Sequence, residues 1–410
     1  MDLPLAVFAV VYAVMILGRV PGLRVDRTAA AFLGAVALVA GGALTSTQAW
    51  AAIDVGTLAL LLGLMLVSAQ FRHSGFYART TQWLAARPTS PARLLGELLA
   101  VTGLLAALLT NDVVCLAIAP LLVDVCAQRR LDPVPFLLGL AAGSNVGSAA
   151  TLLGNPQNLL IGQALHVPFA GYLLDGGVPA VLGMVVVWGV LVRTYRGRWQ
   201  RDVVATPPPP VAFDRGQTHK GLAVLALLVG ALLFAPIERD VLALLAGSVL
   251  LLSRTTSPRA LFERVDWQLL VLFAGLFVVN HAFQQAGHAA AAFAYARQHG
   301  VDFGDPRTLF VTAVVGSNVV SNVPLTMLLL PVATHPQAGP LLALATTLAG
   351  NLLLVGSIAN LIVVEQAERL GVRPQGRGWA SEHWRVGVPI TLATLAIAAG
   401  WLAVRGWMLA

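Results

Sequence analysis

Long apolar blocks separated by short polar loops run through almost the whole chain. Ten of these blocks have the composition of membrane helices, at residues 3–18, 28–46, 54–71, 134–165, 177–193, 220–235, 239–253, 266–284, 339–364 and 385–404. A block of about twenty predominantly apolar residues is long enough to cross the hydrocarbon core as a helix. The pattern predicts an all-α polytopic membrane protein with about ten transmembrane helices.

Two further apolar segments carry a polar interruption near their middle. The segment 92–126 is interrupted by Thr110, Asn111 and Asp112, and the segment 306–334 by the run Ser317–Asn322 followed by Pro324. Non-helical backbone at membrane depth is tolerated only where it faces protein or a water-filled cavity. Both segments are therefore predicted to be re-entrant helical hairpins.

The block at 134–165 contains the stretch GSNVGSAATLLGNPQNLLIG, which is too polar for a continuous membrane helix. Pro156 lacks a backbone donor, and Gly147 and Gly154 permit unwound backbone. A helix broken near the bilayer midplane is how secondary transporters build solute sites. The stretch predicts a broken helix whose interruption lines a polar site.

Charge and composition narrow the class of protein. The chain is 57% hydrophobic and 11% charged, with a net charge of +7. Because the arginines cluster in short loops, membrane orientation explains them and nucleic-acid binding is excluded. The loops lie on one cytoplasmic side if the first hairpin opens inward, the second opens outward, and both termini are periplasmic. We expect a multi-pass protein of the bacterial cytoplasmic (inner) membrane, in contact with the lipid bilayer.

The sequence repeats across a proline-rich loop. Asp54 to Gly75 aligns without gaps on Asp266 to Gly287. The spacing of Asn111 to Pro120 recurs in the second hairpin, and the Gly154 and Asn158 of the broken helix recur as Gly356 and Asn360. An odd number of crossings in each half makes the repeats inverted. The predicted units are a first repeat at 1–194, a cytoplasmic linker at 195–219 containing Pro207–Pro210, and a second repeat at 220–410.

Both hairpin tips and both helix breaks should meet at the axis between the repeats. Their amide, hydroxyl and carboxyl side chains form the predicted substrate and ion site: Asn111, Asp112, Ser148, Asn155, Asn158, Ser321, Asn322, Asn351, Ser357 and Asn360. Such groups can replace the hydration shell of a small solute or cation. The alternative is that asparagine and serine only cap the helix breaks. No arginine or lysine is expected within this site.

Asp112 carries the predicted coupling role. A carboxylate within a membrane segment is costly and marks a functional site by default. It could exchange a proton or coordinate Na⁺, and the alternative is an N-cap for the second hairpin arm. We predict that Asp112 is the proton-coupling residue.

Cofactor and enzyme chemistry find no support in the sequence. The histidines show no metal-ligand spacing, the two cysteines form no cluster, and no phosphate-binding Gly-Lys-Ser/Thr loop is present. We therefore expect no cofactor and no enzymatic activity. The loop around Pro207 could dock an energising ATPase, although its short length favours a tether. A homodimer is also compatible with the sequence.

Four motifs resemble those of one transporter superfamily. TND in the first hairpin, GSAATLLGNPQNLLIG after it, SNVVSNVP in the second hairpin and LAGNLLLVGSIANLIV after that resemble the arsenite permeases (ArsB) and NhaD-type antiporters, which are related to divalent-anion:sodium symporters. The resemblance implies a secondary carrier with inverted repeats that works by alternating access. Asn111 and Asp112 look like the pair of the arsenite permeases, whereas GNPQN at residues 154–158 looks more like the bacterial anion permeases of the same superfamily. The Ser-Asn-Thr sodium motif of the dicarboxylate carriers is absent.

These observations favour a carrier of a small inorganic oxyanion or metalloid acid, of the arsenite and antimonite type, coupled to protons. Two alternatives stay open: a Na⁺/H⁺ antiporter of NhaD type, and a sodium-coupled anion or carboxylate symporter.

Overall fold

The computed structural model describes residues 2–18, 20, 22–201, 212–376 and 378–409. The proline run Pro207–Pro210 of the predicted linker lies outside the described residues. Within them the first half contains ten α-helices: α1 Leu3–Leu17, α2 Arg27–Ala40, α3 Ser46–Ala52, α4 Val55–His73, α5 Phe76–Ala85, α6 Pro91–Leu108, α7 Asn111–Gln128, α8 Pro133–Ser148, α9 Pro156–Ala164 and α10 Phe169–Thr194.

The second half also contains ten α-helices within the described residues. They are α11 Arg215–Phe234, α12 Arg239–Leu251, α13 Pro258–Phe262, α14 Trp267–Gln285, α15 His288–Gln298, α16 Pro306–Val320, α17 Asn322–Leu329, α18 Ala338–Ala349, α19 Ile358–Arg369 and α20 Trp379–Leu409. A 3₁₀ turn, Leu330–Val332, extends α17, and another, Leu354–Gly356, precedes α19.

The predicted all-α membrane class is confirmed. Seven helices of the described residues are long and apolar enough to cross a membrane by length and composition: α4, α6, α7, α10, α11, α14 and α20. Large apolar side chains also stand on the outer surface, such as Trp50 at 75% and Phe234 at 86% exposure. A surface of this kind suits hydrocarbon rather than water.

Some helices begin or end away from the predicted bounds. Helix α11 begins at Arg215, within the predicted linker 195–219, where the Asp214 carboxylate accepts a hydrogen bond from the Gln217 N–H at 3.0 Å. Four short helices, α3, α5, α13 and α15, lie in stretches predicted as loops or span ends. Helices α3 and α15 have no buried residue and α13 has one, so their apolar pattern is weak, whereas α5 buries four residues.

The helices of the two halves correspond one to one in chain order, from α1 and α11 to α10 and α20. Asp54 and Asp266 each cap the helix that follows, by accepting a hydrogen bond from the N–H three residues on. Gly75 and Gly287 both adopt a left-handed conformation, with φ of 74° and 81°. The internal repeat is therefore present in the backbone as well as in the sequence.

Helices of each repeat pack against helices of the other repeat. Gly63 of α4 packs on the backbone of Ala243 in α12, and Gly275 of α14 packs on the backbone of Ala31 in α2. Gly63 is equivalent to Gly275, and Ala31 is equivalent to Ala243, because each pair is separated by the same number of residues as Asp54 and Asp266. Reciprocal contacts between equivalent positions are what a twofold axis produces. The inverted orientation of the repeats in the membrane stays a prediction.

Replacing Gly63 with alanine is expected to destabilise the protein. The new methyl carbon would lie 2.3 Å from the carbonyl carbon and oxygen of Ala243, so the two helices must separate. Overpacking of this kind costs about 1–3 kcal/mol. Thermal unfolding of the purified protein in detergent measures the effect. Gly230→Ala is the control, because a methyl group there meets nothing within 4 Å, and equal unfolding midpoints for the two variants would contradict the proposed contact.

Candidate functional site

The two helix breaks are built in the same way. Helix α8 ends at Ser148 and α9 begins at Pro156, where the Asn155 side chain caps the new helix by accepting from the Asn158 N–H at 2.9 Å. In the second repeat Ser357 caps α19 by accepting from the Ala359 N–H at 3.2 Å. The unwound backbone needs glycine at Gly154, because a methyl group there would lie 2.1 Å from the Ser148 carbonyl oxygen. Both predicted breaks are thus present.

Asn145 joins the first hairpin to the break of the second repeat. Its carboxamide oxygen accepts from Asn111 Nδ2 at 3.0 Å and from Ser357 Oγ at 3.0 Å. Its Nδ2 donates to Asn351 Oδ1 at 2.8 Å and to Asn360 Oδ1 at 3.1 Å. One buried amide therefore connects four of the predicted site residues.

Thr347 is the counterpart of Asn145 in the second repeat. Its hydroxyl oxygen accepts from Asn155 Nδ2 at 3.1 Å and from Gln157 Nε2 at 3.2 Å, and it donates to Asn158 Oδ1 at 3.2 Å. Asn155 Nδ2 also donates to Ser148 Oγ at 3.0 Å. Each repeat thus contributes one residue that holds the broken helix of the other.

Two residues, one on the last helix of each repeat, contact the unwound backbone of the breaks. The Tyr172 hydroxyl of α10 donates to the Ala149 carbonyl at 3.0 Å, and His383 Nε2 of α20 lies 3.0 Å from the Asn351 carbonyl oxygen. Gly176 and Gly387 bring these helices close to the same two carbonyl groups. The last helix of each repeat therefore contacts one carbonyl group of the adjacent break.

The hairpin tips meet the breaks at a small cavity. The Asn111 N–H donates to the Gly154 carbonyl at 3.0 Å, so the tip of the first hairpin lies inside the protein. A cavity of about 40 Å³ is lined by five predicted site residues, Asn111, Asp112, Ser321, Asn322 and Ser357, together with Gln157 and Arg27. The N-terminal residues of four helices, α7, α9, α17 and α19, line it as well. Their converging dipoles favour electronegative atoms in the cavity.

Two residues that line this cavity have an amide oxygen without a hydrogen-bond partner. Asn111 Oδ1 and Asn322 Oδ1 are buried and have no hydrogen-bond partner in the described part of the chain. Buried acceptors without a donor are costly, so they are expected to accept from a bound group. Ser321, beside Asn322, has a φ of 75°, which a residue other than glycine rarely adopts. Strain of this kind is common at ligand sites.

The ten predicted site residues divide into two groups. Asn111, Asp112, Ser321, Asn322 and Ser357 line the cavity, whereas Ser148, Asn155, Asn158, Asn351 and Asn360 use their side chains in hydrogen bonds that hold the breaks. Of the second group only Asn155 caps a helix, and the other four donate to backbone carbonyl groups around the breaks, so a role of the ten residues in binding stays a prediction. The expectation of no arginine in the site was wrong, because Arg27 at the start of α2 lines the cavity and its Nε is buried without a partner.

Asp112 lies between this cavity and a larger one. The second cavity, of about 260 Å³, is also lined by Asp112 and by Ser68, Arg72, Arg264 and Asp266. Among the described residues no hydrogen bond or ion pair engages the Asp112 carboxylate. Asp112 thus lines both cavities, and the larger one is here called the vestibule.

Sequence reasoning missed Asn145, Thr347, Tyr172 and His383 as parts of the site. One signal was available for the first two: Asn145 and Thr347 are separated by the same number of residues as Asn158 and Asn360. Tyr172 and His383 lie on helices that follow the motifs, and their contacts depend on tertiary packing. No local pattern marks them.

Comparison with known proteins agrees with this architecture. A silicon efflux transporter of Oryza sativa subsp. japonica is 28% identical, with 95% of each chain covered. An uncharacterised transporter of Mycobacterium tuberculosis is 29% identical over 98% of each chain, and a putative transporter named arsB of Dictyostelium discoideum is 21% identical over 92% of this chain and 87% of its own. These names confirm the prediction of a transporter rather than an enzyme.

A solved structure and a family model complete the comparison. The YdaH transporter of Alcanivorax borkumensis, described as having an unusual topology, superposes with a TM-score of 0.54 at 16% identity, covering 98% of this chain and 97% of that one. The similarity supports the fold. The model of the CitMHS family, described as citrate transporter, matches residues 11–349. The chain therefore belongs to the CitMHS family and is a secondary transporter of the anion permease type, as its resemblance to the arsenite permeases had predicted.

Proposed function

We infer that the protein is a proton-coupled carrier of a small, hydroxyl-rich inorganic solute, either a neutral metalloid acid or its singly charged oxyanion. The observation that carries this proposal is the pair of buried amide oxygens without a hydrogen-bond partner, Asn111 Oδ1 and Asn322 Oδ1, on two residues that line one small cavity. The hydroxyl groups of arsenous, antimonous or silicic acid can donate to these oxygens. The oxygens of these acids can accept hydrogen bonds from the backbone N–H groups at the converging helix N-termini.

The size of the cavity favours a small solute. The cavity, at about 40 Å³, has less than a sixth of the 260 Å³ of the vestibule. A solute of a few atoms fits it with less rearrangement than citrate, which has six carbons and three carboxyl groups. The rice relative is named a silicon efflux transporter and the Dictyostelium relative is named arsB, which agrees with metalloid acids as the solute class.

Asp112 supplies the proposed proton coupling, since its carboxyl group borders both the tip cavity and the vestibule. We propose the bacterial cytoplasmic membrane as the location, with the basic loops and the vestibule facing the cytoplasm and both termini in the periplasm. We propose that alternating access occurs about the twofold axis that relates the two repeats and their reciprocally packed helices.

Uptake into proteoliposomes with an imposed pH gradient tests the proposal. Arsenite, antimonite and silicic acid are each offered with and without the gradient, and protein-free liposomes are the control. We expect saturable accumulation of at least one metalloid acid that collapses when the gradient is dissipated. Asn322→Leu removes one free acceptor, whereas Asn322→Asp retains an acceptor oxygen at that position. We expect the leucine variant to raise the KM more than the aspartate variant.

Two results would reject the metalloid proposal. Sodium-dependent proton movement without any metalloid flux would identify the NhaD-type antiporter. Sodium-driven uptake of citrate without metalloid flux would identify a carboxylate symporter, as the family description suggests. The same vesicles serve for both measurements.

A further inference from the structure

Two arginines from different repeats line the vestibule. Arg72 lies near the C-terminal end of α4, and Arg264 follows α13 in the second repeat. Both border the cavity of about 260 Å³ that leads to Asp112. Guanidinium groups brought together in a partly enclosed space repel each other unless an anion lies between them.

Three carboxylates, those of Asp112, Glu263 and Asp266, line the same cavity. Glu263 pairs with Arg259 at 2.9 Å, and the Asp266 carboxylate caps α14. Within the described ranges Arg72 has no hydrogen bond or ion pair, and Arg264 donates only to the Ala260 carbonyl of its own turn. The vestibule thus contains two guanidinium groups that form no ion pair with these carboxylates.

A third donor completes the arrangement. Ser68 lies one helical turn before Arg72 and lines the same cavity. Its residue exposure is 1%, and its Oγ has no hydrogen-bond partner among the described residues. A buried hydroxyl donor beside two guanidinium groups is well suited to the oxygens of an anion.

The equivalent positions on the other side of the twofold axis do not carry arginines. By the spacing that relates Asp54 to Asp266, Arg72 corresponds to Gln284 and Arg264 corresponds to Ala52. The fold that the two repeats share therefore does not require an arginine at these positions. A feature that breaks the repeat on one side indicates a function on that side.

We propose that Ser68, Arg72 and Arg264 form an oxyanion-binding site in the vestibule, separate from the cavity at the hairpin tips. Its ligand is a tetrahedral inorganic oxyanion or a carboxylate, both of which match the fork of a guanidinium group. An anion held there occupies the passage to Asp112. Binding at this site does not depend on the metalloid proposal.

Isothermal titration calorimetry of the purified full-length protein tests the site, with inorganic phosphate and citrate as separate probes. We expect saturable binding of at least one probe, weakened about tenfold or more in Arg72→Gln and in Arg264→Gln, the loss typical of a removed charge-assisted contact. Arg72→Lys should retain part of the affinity. Arg254→Gln, an exposed arginine of the neighbouring loop, should bind as the unmodified protein does.

The outcomes separate the ligand classes. Binding of phosphate alone assigns the site to inorganic oxyanions, and binding of citrate alone assigns it to carboxylates. Ser68→Ala keeps both charges and tests the site if an arginine variant fails to fold, with a smaller loss of affinity expected. Absence of binding for both probes, or unchanged affinity in Ser68→Ala together with the folded arginine variants, would overturn the proposal.

Discussion

Asp112→Asn is expected to abolish accumulation driven by a pH gradient. A difference of one pH unit stores about 1.4 kcal/mol per proton. A carrier that exchanges one proton per neutral solute therefore reaches a concentration ratio of about tenfold. Asparagine keeps the size of the side chain but cannot exchange a proton, so the ratio should fall to one.

The measurement is the steady-state distribution of arsenite or silicic acid across proteoliposomes with a fixed pH gradient. Asp124→Asn on the same helix is the matched control, because the Asp124 carboxylate accepts from Gln128 at 2.8 Å at the exposed end of α7. The control should reach the full ratio. Accumulation by Asp112→Asn to the level of the control would show that another group carries the proton.

Arg27 changes the electrostatic description of the candidate site. With Asp112 ionised, the cavity contains one fixed cation and one fixed anion, in addition to the helix N-termini. A neutral solute leaves this balance intact, whereas a trivalent anion such as citrate adds charge that one arginine does not offset. The composition of the cavity thus agrees with its size in favouring a small solute of low charge.

The sequence predicts the parts of the fold that local chemistry determines. Pro156 and Gly154 mark a helix break wherever they occur in an apolar segment, and a polar tip within apolar sequence marks a hairpin. The repeat was readable because Asp54 and Gly75 have conformational roles that recur at Asp266 and Gly287. These features need no knowledge of tertiary contacts.

The parts that were missed depend on which segments meet. Arg27 belongs to a loop whose charge indicates membrane orientation, and only the packing of α2 places it beside the hairpin tips. Asn145 lies in a helix before the break, so its four hydrogen bonds to other segments are invisible locally. Likewise, which asparagines hold the breaks and which face the cavity follows from side-chain direction alone.

Asn145→Leu is expected to cause the largest loss of stability among single changes at the site. Leucine is close in volume, but it removes two acceptor and two donor contacts from a buried network. A hydrogen bond lost in a buried network costs about 1 kcal/mol, and more where a polar group stays unsatisfied. Four such losses amount to about 4 kcal/mol or more.

Thr347→Val and Thr346→Val provide a matched pair for this prediction. Both threonines are buried in α18, but the Thr346 hydroxyl bonds only to the Leu342 carbonyl of its own helix at 2.7 Å. Thr347 bridges to three side chains of the other repeat, so its valine variant should lose stability as Asn145→Leu does, to a smaller extent. Unfolding by SDS in mixed micelles gives the free energies. Because only the bridges between repeats distinguish the neighbouring threonines, equal free energies of unfolding for the two valine variants would mean that the network does not hold the breaks together.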